Sequence, residues 1–176
     1  KSVTAVVELK ARFYEEANIK LSQDLEKAGV HVVYGIVDLK THAKVSLVVR
    51  RENNKLNTYV HFGTGNYHPT TARIYTDLSL FTCNEDYAAD ASRFFNMVTG
   101  HNEIDDWNLL SAAPKGLRKK LLNLIDIEIE NAKIGKPSGI WFKCNSVVDP
   151  IIIKALYKAS ANGVKVELIV RGVCCL

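Results

Sequence analysis

The residues best suited to chemistry begin with a histidine and a lysine in Lys40-Thr41-His42-Ala43-Lys44. Side chains alternate with period two along an extended strand, so His42 and Lys44 fall on one face, where an imidazole and an ammonium can converge on a single phosphate. That pairing suits phosphoryl chemistry. Further along, Gly63-Thr64-Gly65-Asn66 reads as G-[ST]-x-N. Its small residues let backbone amides approach an anion, and Thr64 and Asn66 offer side-chain hydrogen bonds to it. Each element alone is a weak signal, since a lone strand histidine is more often structural than catalytic. In order, H-x-K on one hairpin strand and G-[ST]-x-N at the end of the next, they leave a phosphate site and a purely structural origin evenly matched.

The elements that must position these residues follow from the hydrophobic pattern. Val3 to Leu9 suits a buried strand, and Phe13, Ala17, Leu21, Leu25 and Ala28 recur at helical spacing up to a C-terminal Gly29. A strand over His31 to Val37 comes next. Ala43 to Arg50 and Asn57 to Phe62 then read as antiparallel strands, with the polar Arg51-Glu52-Asn53-Asn54-Lys55 as their turn. A mixed segment leads to Leu78 to Thr82, and Tyr87, Ala91, Phe94, Phe95 and Val98 mark a helix ending near Gly100. The polar run from His101 to Asn108 suggests a boundary, with a first lobe over 1–106 and a second over 107–176. Beyond it the pattern restarts with Leu109 to Ala113, a helix Leu117 to Ala132, a strand Ile140 to Cys144, a helix Asp149 to Asn162 and a strand Val164 to Val170. A faint repeat lays Lys20 on Lys154, Gly29 on Gly163, Val30 on Val164 and Val32 on Val166. Two unrelated βαβ units would look equally alike.

Composition limits the class. The 176 residues are 47% hydrophobic and 24% charged, enough to bury a core and against disorder or a fibrous repeat. Twenty-three Lys and Arg against 19 Asp and Glu give a net charge of +4, too mild to argue for nucleic acid. Apolar runs such as Val45 to Val49 and Val147 to Ile153 fall well short of the roughly 18 residues a membrane span needs. Nor does the start have a signal-peptide layout. Cys83, Cys144, Cys174 and Cys175 lack metal-ligand spacing, which favours reduced thiols in a cytosolic setting. The chain starts at Lys1 without Met and stops at Leu176 after a strand-like run, so it reads as an excised piece.

H-x-K followed by G-[ST]-x-N resembles the phospholipase D superfamily. The stretches VVYGIVDLKTHAKVSLVVRR, YVHFGTGNYHPTTARIYTDLSLFT and VDPIIIKALYKASANGVKVELIVRGVC are similar to the histidine-phosphorylated polyphosphate kinases, and the likeness covers essentially the whole chain. One departure is informative: where the phospholipase D pattern expects Asp after Lys44, the chain has Val49, as suits the kinase branch. The resemblance implies an α/β fold of phospholipase D-like lobes, each a mixed β-sheet flanked by helices, with the second lobe incomplete. It implies reversible transfer of the terminal phosphate of ATP to inorganic polyphosphate through a phosphohistidine, for which His42 is the matching residue. A neutral imidazole near its ordinary pKa of about 6.5 is a competent nucleophile at cellular pH.

Further roles follow from the same match. Asp77 is the candidate to accept the N–H of the second ring nitrogen of His42, although a turn or capping Asp explains it equally well. Lys44 would neutralise charge in a loose phosphoryl-transfer transition state. Arg12 matches a residue of the magnesium-phosphate site, and an arginine there reads as a phosphate clamp beside Mg²⁺. Tyr75 and Arg171 match nucleotide-contacting positions and are expected at strand ends, where ligands gather in open α/β sheets. His68 reads as a turn histidine more readily than as a polyphosphate contact. His31, His61 and His101 carry no constellation. Arg50-Arg51 and Arg118-Lys119-Lys120 could line a polyanion path, though such runs are usually solvated faces. Asn145, at the strand–helix junction, is a candidate to hold phosphate in the second half, although Asp149 as N-cap and Pro150 at N1 explain that junction without a ligand.

The expected ligands are therefore ATP or ADP, inorganic polyphosphate and Mg²⁺, and no nucleic acid. The resemblance also implies homo-oligomers of the full-length protein, a bacterial cytoplasmic location and peripheral association with the inner membrane face. A segment lacking the second histidine of the family is expected to be inactive as a kinase by itself. Two other readings stay open: a phospholipase D-like phosphodiesterase or nuclease, and a non-catalytic polyanion-binding module.

Overall fold

The computed structural model describes residues 2–9, 15–36, 39–100 and 106–176. Two compact units make up the chain, Lys1–Leu110 and Ser111–Leu176. The fold is mixed α/β, with parallel and antiparallel ladders and helices packed on them.

In the first unit, β1 (Thr4–Val7) and β2 (His31–Tyr34) pair in parallel, Thr4 opposite His31, across the helix α1 (Glu15–Lys27). The helix stops where Gly29 takes φ of 81°, a left-handed conformation in which a side chain would be strained. The amide of Gly29 then reaches the Glu26 carbonyl and that of Val30 the Leu25 carbonyl, closing the last turn. Both strands are shorter than the apolar runs that contain them.

An antiparallel ladder follows: β3 (Val45–Glu52), β4 (Lys55–Gly63) and β5 (Ser79–Thr82), in that order. Here the hairpin is tighter than its polar stretch suggests. Register runs from Val45 opposite Phe62 to Glu52 opposite Lys55, so the turn is Asn53-Asn54 alone. Their φ values of 49° and 62° are those of the mirror-image turn that matches strand twist, and asparagine tolerates them best after glycine. The segment of mixed pattern holds a short helix, α2 (Pro69–Ile74), begun by His68 as N-cap and Pro69 in the first turn. The next helix, α3 (Glu85–Gly100), starts at Asn84, whose Oδ1 accepts the amides of Asp86 and Tyr87. It packs on β4 and β3, burying Ala91 and Val98, while Val60 is buried on the sheet.

Residues 109–113 form no helix or strand. The fully buried Asp90 of α3 holds the start of this stretch: its Oδ2 accepts the amides of Leu109 and Leu110, each at 2.8 Å, and its Oδ1 that of Asn108 at 2.9 Å. These bonds tie residues 108–110 to the first unit.

The second unit comprises α4 (Leu117–Lys133), β6 (Gly139–Cys144), α5 (Pro150–Ala161) and β7 (Lys165–Val170), with β6 and β7 parallel. Ile125 and Ile129 of α4 meet Ile152, Leu156 and Ala159 of α5 and Val164 in one buried cluster. Alternate residues Ile140 and Phe142, and Val166 and Leu168, turn to the half-buried face, as period two requires. The Asp149 carboxylate caps α5, accepting the Ile151 amide at 2.9 Å and the Ile152 amide at 3.2 Å, and Gly163 ends it at φ of 87°. No helix among the described residues is long and apolar enough to cross a membrane.

Candidate functional site

His42 and Lys44 lie just before β3, in extended chain that has not yet joined the ladder as a strand. The strand begins one residue later because only the carbonyl of Lys44, which accepts the Gly63 amide at 2.9 Å, reaches the neighbouring chain. Extended geometry nevertheless keeps the alternation, and the Lys44 Nζ stands 3.0 Å from the His42 Nε2. An ammonium can only donate, so Nε2 is the accepting nitrogen and the ring proton is assigned to Nδ1. The segment is tied from behind by the Thr41 amide, which donates to the Glu8 carboxylate at 2.8 Å.

Partial burial, and then the positive charges of Lys44 and Lys40, hold the His42 pKa below its ordinary value. Lys44 is also lowered, first by burial and then by Lys40, with Asp77 acting in the opposite direction. The result is a neutral imidazole set among cations, the electrostatics of a nucleophile that must meet a polyanion.

The bond between Gly63 and Lys44 brings the Gly63-Thr64-Gly65-Asn66 loop beside this pair. Its threonine does not serve as a free phosphate ligand: the Thr64 hydroxyl donates to the Asp77 Oδ1 and accepts the Leu78 amide, both at 2.9 Å. The Thr64 amide donates back to the Leu78 carbonyl at 3.0 Å. A Cβ at Gly65 would overlap the Asp77 carboxylate, so this glycine is the floor on which Asp77 rests. Asn66 is exposed and its carbonyl accepts the His68 amide. Asp77 is held by Thr64, and its negative charge raises the Lys44 pKa, while the hydrogen bond of the His42 ring among the described residues is to Lys44.

Tyr75 does not end a strand; it is the exposed C-cap of α2, its amide donating to the Thr71 carbonyl. Arg171 follows β7 in the second unit, at the carboxyl end of a parallel pair, with its amide on the Cys144 carbonyl at 3.3 Å. Arg12 and His101 lie outside the described residues. Two basic candidates are engaged locally: Arg118 Nε pairs with the capping Asp149 at 2.9 Å, and Arg50 with Glu52 at 3.3 Å. His68 is the helix cap that a turn histidine suggests.

Nothing in the residue pattern marks His61, yet it belongs to a network. Its Nδ1 lies 2.7 Å from the Tyr67 hydroxyl, which accepts from Ser46 at 3.1 Å, and its ring stacks on Phe81 at 4.4 Å. Tyr67 therefore donates to Nδ1, leaving the buried Nε2 as the protonated nitrogen, without an acceptor among the described residues. The signal that could have found it is register, since Ser46 and Phe81 flank His61 on adjacent strands.

Among the described residues no group of three or more His, Cys, Asp or Glu could hold an ion.

Two family models match the chain: "Polyphosphate kinase C-terminal domain 1" over residues 1–104 and "Polyphosphate kinase C-terminal domain 2" over 110–176. A polyphosphate kinase of Erythrobacter litoralis is 55% identical over 99% of the chain and 24% of its own length. That of Halalkalibacterium halodurans is 52% identical over the whole chain and 25% of its length. The crystal structure of a polyphosphate kinase from Porphyromonas gingivalis superposes on the whole chain with a TM-score of 0.85 at 40% identity, covering 29% of that protein. The chain thus spans about a quarter of the length of the curated relatives it matches.

Proposed function

Because the chain belongs to the polyphosphate kinase family, we propose that its first unit carries the phosphoacceptor of that reaction, with His42 taking the terminal phosphate of ATP and passing it to inorganic polyphosphate. The observation that carries this reading is the 3.0 Å approach of Lys44 to the His42 Nε2. It fixes the tautomer and marks Nε2 as the nitrogen whose lone pair is released for attack as Lys44 turns to the phosphate.

In the forward half-reaction that lone pair attacks the γ-phosphorus. The bond from phosphorus to the bridging oxygen breaks, and ADP departs with the electron pair. As Nε2 becomes bonded to phosphorus it can no longer accept from Lys44, whose ammonium turns to the transferred oxygens and offsets their charge. In the second half, a terminal oxygen of polyphosphate attacks phosphorus and the N–P bond breaks, restoring His42. Mg²⁺ enters as part of the nucleotide substrate, held by its phosphates. Tyr75 and Arg171 are proposed as nucleotide contacts, and Arg12 as a phosphate clamp.

Incubating a polyphosphate kinase that carries this segment with Mg²⁺ and γ-labelled ATP tests the reading. The label is expected to be acid-labile and base-stable and to map to the peptide containing His42. Phosphodiester cleavage in its place would indicate a phospholipase D-like enzyme, and polyanion binding without either reaction a binding module. Val49 already speaks against the former, standing exposed on β3 where an Asp would be expected.

The electrostatics give a second expectation. A histidine with a depressed pKa stays neutral to lower pH than an ordinary one, so the acid limb of labelling should lie below the ordinary histidine value. In Lys44→Met one of the depressing charges is gone. The rate should drop by about 10²-fold, and the acid limb should move up toward pH 6.5, roughly the ordinary histidine value. A limb that stays in place would remove Lys44 from the site.

A further inference from the structure

We propose that Thr64 is a positioning residue: its hydroxyl, with the bare Cα of Gly65 beneath, forms a socket that holds the Asp77 carboxylate on the loop that the Gly63 amide ties to the Lys44 carbonyl. This rests on the reading of His42 and Lys44 as the reacting pair and assigns the glycine-rich loop a task other than binding phosphate.

Three features carry it. The Thr64 hydroxyl gives its one proton to Asp77 and accepts the Leu78 amide, each at 2.9 Å, so it has no proton left to donate to a phosphate. With the Thr64 amide on the Leu78 carbonyl, the loop and residues 77–78 are locked together by three hydrogen bonds. Gly65 is required by space and not by backbone conformation, because any Cβ there would occupy the place of the carboxylate. A carboxylate so held is fixed in place although it stands at the surface, and its charge favours the ammonium form of Lys44.

The socket therefore acts on the nucleophile at one remove. Asp77 favours the charged form of Lys44 against the burial that lowers its pKa, and Lys44 in turn orients the His42 Nε2 and meets the transferred phosphoryl oxygens. Loss of the hydroxyl frees Asp77 without touching His42, Lys44 or any group that would contact ATP.

The test uses a polyphosphate kinase carrying this segment, in four forms: Thr64→Val, Thr64→Ser, Asp77→Asn and the Thr64→Val/Asp77→Asn pair. Thr64→Val is expected to slow His42 labelling about 10- to 100-fold with the KM for ATP little changed, while Thr64→Ser, which keeps the hydroxyl, recovers most of the rate. The pair should be no slower than Asp77→Asn alone, because both changes remove the same carboxylate interaction. The pH dependence of Lys44 modification by an amine-reactive reagent gives a readout that a merely structural threonine would not move. Without the opposing carboxylate the Lys44 pKa falls, so Thr64→Val and Asp77→Asn should shift that curve toward acid together.

Full-rate labelling by Thr64→Val, a loss that multiplies with Asp77→Asn, or a Lys44 curve unmoved by Thr64→Val would each overturn the proposal. Should the label of the unsubstituted enzyme map away from His42, the functional reading fails. The Lys44 curve still decides the socket, since it needs no turnover.

Discussion

A His42→Ala variant is expected to take up no phosphate from γ-labelled ATP while unfolding at the temperature of the unsubstituted protein. The first half follows from the role proposed for His42. Lys44 is charged and has no lone pair, and His61 is half-buried, stacked on Phe81 and bonded to Tyr67. Removing a nucleophile eliminates the covalent route outright and does not merely slow it. The second half follows from exposure: His42 stands at the surface, and its hydrogen bond among the described residues is to an adjacent lysine. Surface changes of this kind alter stability by less than about 0.5 kcal/mol. The folded protein depresses the His42 pKa, so the unfolded chain binds its proton first as pH falls. The imidazole thus contributes nothing to stability at neutral pH and a small penalty in acid, which the variant removes. Labelling followed by a thermal melt monitored by circular dichroism checks both halves. Residual base-stable label in a folded variant would mean that another residue is the acceptor.

Asp90→Ala should do the reverse, destabilising the protein by about 3 to 5 kcal/mol with no reacting group touched. The carboxylate is fully buried and accepts three backbone amides, those of Asn108, Leu109 and Leu110, as well as the Arg93 guanidinium at 2.9 Å. Alanine leaves these donors without a partner and opens a void at the foot of the segment leading to the second unit. Burial alone would raise the Asp90 pKa, but the Leu110, Asn108 and Leu109 amides and Arg93 outweigh it and hold the carboxyl below the usual carboxylate range. A depressed carboxylate stabilises the fold at pH values above the unfolded pKa, and that contribution disappears as pH falls through the lower, folded value. Denaturant unfolding at neutral pH should therefore show the full cost, and in strong acid the gap between the two proteins should close. Amide exchange should quicken first at residues 108–110. An unchanged midpoint at neutral pH would show that the anchor is dispensable.

How much of this was legible beforehand differs from residue to residue. Gly29 and Gly163 announced the ends of α1 and α5 because a left-handed C-terminal residue is a local requirement, met within one turn. Asp149-Pro150 announced the start of α5 for the same reason. His42 and Lys44 converge because alternation is a property of extended chain, and it held even though the strand begins only at Val45. The α2 helix escaped notice, being too short for a hydrophobic period to show. In Asn53-Asn54 the polar stretch indicated a turn, but only the pairing of Glu52 with Lys55 revealed how tight it is.

The sequence by itself determined the order of the longer helices and strands, the family resemblance, and the pair of side chains most suited to a phosphate. Tertiary structure alone decided what the neighbouring residues do. Asp90 reads as one acidic residue among others on a helix, Thr64 as a loop hydroxyl free for a ligand, and His61 as a histidine without company. Their partners, Leu109 and Leu110, Asp77, Tyr67 and Phe81, are supplied by chain reversals and strand register. Periodicity records which face a residue takes on its own element, whereas a hydrogen bond across elements depends on where another stretch of chain comes to rest, and that is set only when the whole unit packs.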